Sequence, residues 1–376
     1  MNHKIVSLLR KQIVAIIFAI LCGFLVAGIV LAATGYDPME AFSALFRGIY
    51  SKPKYLSNTI IKSTPIILTG LSVAFAFKTG LFNMGAEGQY IMGTIAAVTV
   101  GVLFDLPPVL QIPLIIIAGM VAGALYGAIV GVLKAYYGIH EVITSIMLNW
   151  IALYFNNFVV NLKLLHKENT TGTYPIHDTG KIIFFGQLKR TREGQMSLKE
   201  SPFWGEIILK TDFNAGIIFA VVAVICVILL LKYTSKGYQL KAVGFNMDAA
   251  EFAGISVKKN MIHSMLIAGA ISGLAGALVI AGMAPHKLSM LSAFENYGWN
   301  GVSVALIAGS SPIGCLFAGL LFGGFLYGGQ TVQSEVGAPS EIMNIMLGTI
   351  VFFVALSKVV VMIADKLEKR GKRHGK

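Results

Sequence analysis

The chain has 376 residues, of which 56% are hydrophobic and only 13% charged, and its mean hydropathy is +0.74. Soluble domains carry about 25% charged residues, so a water-soluble fold is excluded, and three cysteines are too few for a secreted disulfide scaffold. What remains is a polytopic, all-α integral membrane protein. The formal net charge of +12 does not point to nucleic acid, because no basic, aromatic-interleaved soluble segment is present. The lysines and arginines gather at the ends of hydrophobic runs, where they orient a membrane protein. Cys22, Cys226 and Cys315 each sit inside such a run and read as packing. No CxxC pair or His/Cys cluster suggests a metal.

A spanning helix needs about 20 mostly apolar residues. In chain order, spans are predicted over about 13–33, 57–78, 89–105, 109–133, 140–162, 213–232, 261–284, 312–333 and 340–363. The first run follows Lys4, Arg10 and Lys11 and exceeds the usual signal-peptide core of about 7–15 residues. It therefore reads as a helix. Both ends are basic, the C-terminal one through Lys366, Lys369, Arg370, Lys372, Arg373 and Lys376. Basic flanks stay cytoplasmic, which requires an even number of spans. The shorter, more polar stretch 291–309 supplies a tenth, since interrupted segments are tolerated where they line a cavity or pack against protein. With ten spans, the short outer loops and helix ends carry only Arg47, Lys52, Lys54, Lys62 and Lys287, and the remaining short-loop basic residues fall inside.

The predicted organisation is a first membrane half of five spans (1–162), an extracytoplasmic loop or cap (163–212), a second half of five spans (213–365) and a basic cytoplasmic tail (366–376). Five spans on each side of the cap start from opposite sides of the membrane, an arrangement compatible with inverted repeats.

Several polar stretches stand out. Gly80 to Tyr90 places three glycines with Asn83, Glu87 and Gln89 between apolar helices, and such groups are costly near lipid. Turn formation and capping account for Asn83 and Gly85. Glu87 with Gln89 suggests a gating or pathway role. Within 140–154, Glu141, Thr144, Ser145, Leu148 and Asn149 share one helix face by i, i+3, i+4 spacing. Asn149 then serves either an interhelical hydrogen bond or a substrate contact, and Trp150 and Tyr154 either pack or stack on a planar ligand. Gly298-Trp299-Asn300-Gly301 is a turn, or a gate if the cavity passes there. On the cytoplasmic side, Asn246 is a good N-cap, Asp248 and Glu251 complement a helix N-terminus, and Gly254 is a good stop. They bound a helix of about two turns over 246–254, either an ordered loop or a knob that docks a soluble partner.

No GxxxxGK[ST] loop is present for ATP. No ladder of intramembrane acids and lysines suggests an ion relay, and no Ser/His/Asp or HExxH arrangement suggests a hydrolase.

The runs Gly80–Tyr90, Glu141–Tyr154 and Gly237–Ile255 resemble the permease subunits of bacterial ABC importers. The match is to the branched-chain amino acid, ribose and nucleoside group. Asn83-Met84-Gly85-Ala86-Glu87-Gly88-Gln89 is most similar to its nucleoside and simple-sugar subgroup. The resemblance covers about 10–365. It implies that the short cytoplasmic helix is a coupling helix, with Phe245, Asn246, Asp248, Ala249, Glu251, Phe252 and Gly254 entering a cleft on an ABC ATPase subunit. ATP and magnesium are then bound by that subunit, and this chain carries no cofactor. The implied partners are the ATPase, a second homologous permease, an extracytoplasmic substrate-binding lipoprotein, the nucleoside and membrane lipid, with no nucleic acid. Asn83, Glu87, Gln89, Ser145, Asn149, Trp150, Trp299 and Asn300 are the candidate pathway or gating residues. The implied activity is nucleoside import by alternating access, driven from the separate ATPase. The alternatives are ribose, another simple sugar or a branched-chain amino acid as cargo, and an ion-coupled carrier as the other class.

Overall fold

The computed structural model describes residues 12–356. Lys4, Arg10, Lys11, the end of the last predicted span and the predicted 366–376 tail lie outside the described residues. Among the described residues there is no β-strand, only three isolated bridges, so the fold is all-α. Helices occupy all ten predicted segments: α1 (Gln12–Ala33), α3 (Pro53–Phe77), α4 (Ala86–Leu103), α5 (Pro108–Tyr137), α6 (Glu141–Val160), α10 (Gly216–Tyr233), α13 (Val257–Gly282), α14 (Tyr297–Ile307), α15 (Pro312–Val336) and α16 (Ser340–Ala355). Between them lie α2 (Pro38–Tyr50), the short α7 (Gly186–Arg190), α8 (Arg192–Lys199) and α9 (Pro202–Lys210), and the consecutive α11 (Ser235–Phe245) and α12 (Met247–Phe252). Seven helices, α3, α4, α5, α6, α10, α13 and α15, are long and apolar enough to cross a membrane. The chain is a multi-pass membrane protein.

Local chemistry fixes the helix ends. Proline at the first position starts α2, α3 and α5, where its missing N–H costs nothing. Asp37 caps α2 by accepting from the Met39 and Glu40 amides at 2.8 and 3.4 Å. Gly138, at φ +67°, ends α5 in the left-handed conformation that a Cβ would strain. The predicted span 291–309 is helical only from Tyr297. Residues 291–296 before it are irregular and half-buried to exposed, and Glu295 and Asn296 make them unsuited to a lipid-facing helix.

Cα packing divides the chain into two compact units, Lys52–Gly324 and the pair Met1–Ser51 with Phe325–Lys376. In the larger unit α13 is central, packed on α5, α4 and α3, while α14 packs on α3 and α6 on α4. The most buried spans are α3 and α13, with 83% and 78% of their apolar stretches inside, against 28% for α10. The contact of α4, α5 and α13 is a seam of glycines. A Cβ on Gly273 would overlap the Gly119 carbonyl oxygen, and one on Gly123 would lie 2.7 Å from Gly273 Cα. Cβ atoms on Gly93 and Gly269 would strike the backbones of Gly273 and Gly123. Small residues let helix backbones touch, which matters where lipid removes the hydrophobic drive for helix association. In the smaller unit, α1 packs on α16, and Phe24 meets the rings of Phe42, Phe46 and Phe325. Its exposed Arg47–Glu335 ion pair, at 2.8 Å, adds little.

Residues 163–212 are folded. Bridges pair His166 with Thr173 and Gly172 with Ser289, and α7–α9 follow. The segment is tied to α3 by a buried Ser57–Thr211 hydroxyl contact of 2.8 Å, and to the end of α13 by Asp212, which accepts from the Ala284 amide at 3.1 Å.

Gly273→Leu should destabilise the protein by about 3 kcal/mol or more, because backbone atoms on the facing helix cannot yield. Gly348→Leu, at a position with no atom within 4 Å of an added Cβ, should be close to neutral. Thermal unfolding of the detergent-solubilised protein compares the two.

Candidate functional site: a buried polar network and an exposed knob

The turn between α3 and α4 holds Asn83, which is fully buried. Its amide forms a reciprocal pair with Gln89: Asn83 Nδ2 donates to Gln89 Oε1 at 2.9 Å and Gln89 Nε2 donates to Asn83 Oδ1 at 3.0 Å. Asn83 also donates to Ser72 Oγ at 3.0 Å and accepts from the Gly85 amide at 3.1 Å, and Ser72 donates to the Ala268 carbonyl on α13 at 2.6 Å. Asn149, on α6, donates to the Met84 carbonyl at 2.9 Å and accepts from the Gly88 amide at 2.8 Å. These amides satisfy backbone groups that lipid would leave orphaned. Asn149 is thus held by the protein itself.

Glu87 is buried at the start of α4. Its Oε1 accepts from the Asn296 amide at 2.9 Å and its Oε2 from the Gly298 amide at 2.5 Å. These are the free N–H groups that open α14, so Glu87 is a cap supplied from another helix. Asn296 itself sits at φ +67° and makes no side-chain cap. A Cβ on Gly298 would overlap the Glu87 backbone, so glycine is needed for this approach. On the other side Thr69 donates to the Tyr297 carbonyl at 2.8 Å. The half-helix is therefore clamped at its N-terminus by α3 and α4.

The other candidates are placed apart. Ser145 is buried beside Gly85, and its hydroxyl has no hydrogen-bond partner among the described residues. Trp150 is half exposed, stacks on Tyr154 at 6.3 Å and meets Phe294 edge-on at 4.7 Å. Trp299 and Asn300 are half-buried within the first turns of α14, so this run is helical and not a turn. Glu141 belongs to an ion pair, 2.9 Å from Lys134 Nζ at the end of α5. Among the described residues no group of three or more His, Cys, Asp or Glu could hold a metal.

On the segment between α10 and α13, Asn246 ends α11 and begins α12. Its amide donates to the Ala242 carbonyl and its Oδ1 accepts from the Ala249 amide at 3.0 Å. Gly254, at φ +79°, lies past the end of α12, and the Ile255 amide donates back to the Ala250 carbonyl at 2.9 Å. The helix is shorter than the predicted 246–254, and α11 precedes it where the sequence suggested no helix. Ala250 is the buried anchor. Asp248, Ala249, Glu251 and Gly254 are exposed, and Phe245 and Phe252 are 95% and 97% exposed. The end of α11 presses on the turn after α3, since a Cβ on Gly244 would overlap the Lys78 carbonyl. Lys236 on α11 lies 2.9 Å from His263 Nδ1, and burial, with the charge of Lys259, pushes its pKa below the ordinary lysine range.

Residues 55–355 match the family described as branched-chain amino acid transport system / permease component. The chain belongs to this permease family. It is 38% identical to the guanosine ABC transporter permease protein NupP of Bacillus subtilis (strain 168), covering 94% of this chain and 96% of that protein. It is 37% identical to the nucleoside ABC transporter permease protein NupB of Lactococcus lactis subsp. cremoris (strain MG1363), over 97% and 95%. The guanosine ABC transporter permease protein NupQ of Bacillus subtilis (strain 168) is 26% identical, over 70% and 78%. No solved structure matches the chain. The permease is a transport subunit and not an enzyme, and ATP hydrolysis belongs to a separate subunit.

Sequence reasoning missed four residues around the permease's half-helix: Lys62, Asn156, Glu295 and Tyr297. Tyr90 was quoted in its run but given no role. The legible signal was Glu295, an acid in an otherwise weakly charged stretch between two hydrophobic runs.

Glu87→Gln places an amide N–H against one of the two α14 amides and removes one of the clamp's hydrogen bonds, a loss of about 1–3 kcal/mol. Uptake per inserted permease should fall about tenfold. An Asn300→Cys reporter in a background lacking the three native cysteines should become more reactive to a thiol reagent when Glu87→Gln is added. Unchanged reactivity would show that the clamp does not hold α14.

Proposed function

We propose that the chain is the membrane-spanning subunit of an ABC importer for nucleosides, and that its α11–α12 segment is the coupling element that docks the ATPase. What supports this is the pair of phenylalanines, Phe245 and Phe252, standing almost wholly in water at the two ends of a capped helix whose only buried residue is Ala250. Two exposed aromatic side chains on a segment fixed by Asn246 and Gly254 form a rigid apolar knob rimmed by Asp248 and Glu251. Aromatic anchors with a charged rim are how a transmitted interface is built. ATP and magnesium stay on the partner, and this chain carries no cofactor.

The cargo reading follows the relatives of near-equal length, named for guanosine and nucleosides. A nucleoside is uncharged, so its path needs polar and aromatic groups but no buried counter-charge. Ten spans, with both termini cytoplasmic, form two five-span halves, 1–162 and 213–365. The folded segment 163–212 faces outward, where it meets a substrate-binding lipoprotein. A second homologous permease completes the membrane part, as the NupP and NupQ pair of one organism suggests. In the cycle, ATP-driven closure of the ATPase pair moves α12, and the turn at Lys78–Leu81 carries that motion to α4 and α14.

Vesicles holding the complete complex should take up labelled guanosine on addition of ATP, with unlabelled uridine competing and ribose and leucine not. Uptake of ribose or leucine in place of guanosine would keep the importer and replace the cargo. Glu251→Lys should reduce ATP-driven uptake at least tenfold with the chain inserted and folded, and normal uptake would sink the coupling assignment.

A further inference from the structure

The larger unit contains a cleft of about 160 Å³ bounded by α3, α4, α6, the end of α13 and the irregular stretch before α14. Its chemistry comes from Lys62, Tyr90, His286, Lys287, Glu295 and Tyr297. The Tyr90 and Tyr297 rings lie 5.2 Å apart at 51° and form an aromatic wall. Glu295 is solvent-accessible, and its Oε2 accepts from Tyr90 Oη at 2.8 Å. Tyr90 is itself fully buried, so the carboxylate is aimed by a residue that cannot swing away. Among the described residues Oε1 of Glu295 has no hydrogen-bond partner. Lys62 and Lys287 line the same cleft as Glu295. The cleft ends at Tyr297, the first residue of the half-helix that Glu87 clamps.

A carboxylate only accepts, and with two oxygens it suits a ligand that offers two adjacent donors. The tyrosine wall offers a face for a planar ring. A ribose 2′,3′-diol joined to a base meets both conditions. An acidic side chain on a ribose hydroxyl is also a recurring solution elsewhere.

We infer that this cleft is a transit site for the ribonucleoside, in which Glu295, aimed by Tyr90, accepts the ribose 2′,3′-diol. This inference rests on the nucleoside reading above. The diol is common to all ribonucleosides, so a site built on it passes cargoes that differ in base and leaves the choice of base to the delivering protein. Lys62 and the tyrosines contribute less specific contacts.

The test uses the complete complex in vesicles with labelled guanosine and 2′,3′-dideoxyguanosine, at concentrations that saturate the delivering protein, with rates taken per assembled complex. The wild-type complex should carry guanosine about tenfold faster than the dideoxy compound, the size expected for one hydrogen bond to a charged group. Glu295→Gln should slow guanosine and bring the ratio near one. Tyr90→Phe, which keeps the ring and removes only the bond to Glu295, should give an intermediate ratio. A general structural defect would slow both compounds and leave the ratio unchanged, so a ratio that Glu295→Gln does not move overturns the site. A wild-type ratio near one overturns it as well. Uptake of neither compound by the wild type would overturn the nucleoside reading and the site with it.

Discussion

The glycine seam between α4, α5 and α13 is the constraint on which the larger unit depends. In lipid, apolar side chains gain little by meeting one another, so helices are held by close packing and by polar contacts that lipid cannot supply. With Gly93, Gly119, Gly123, Gly269 and Gly273 at the crossing, backbones touch and α13 sits at the centre. The same approach brings Ser72, Asn83, Gln89 and the Ala268 carbonyl within hydrogen-bonding distance. Any side chain on the seam would push these helices apart and unmake the polar network beside it.

That network has a structural logic before any functional one. A turn and a broken helix packed among apolar helices leave backbone groups unpaired, each costly in an apolar medium. Asn83 and Asn149 take up those of the turn, and Glu87 and Thr69 those of α14. Residues whose chemistry suggests contact with a passing solute are thereby occupied by the protein. The groups that keep a free acceptor or an accessible ring, Glu295 and Tyr297, lie one step further along, at the cleft.

Contacts run without interruption from the exposed knob to the half-helix. Gly244 rests on the Lys78 carbonyl, the turn from Lys78 leads to the Asn83–Gln89 pair, and Glu87 lies between these and the N-terminus of α14. An exposed capped segment and an interrupted helix inside the protein are thus joined by backbone contacts and paired amides.

Legible in the sequence were the membrane class, helices at the ten predicted segments, the capped helix α12 and the polar character of the 80–90 run. These depend on hydrophobic length, on caps at adjacent positions and on polar residues out of place in lipid, all local properties. Trp150 shows where such reading stops: its identity allows stacking on a ligand, and only packing places it against Tyr154 and Phe294. Glu87 shows the same from the other side. Its partners are more than 200 positions away, at Asn296 and Gly298, so no spacing rule reveals that it caps a helix. The α11 helix, the late start of α14 and the pairing of Tyr90 with Glu295 were likewise decided by tertiary structure. A hydrogen bond between distant segments exists only after the helices have packed, and the glycines that permit that packing carry no side chain to announce it.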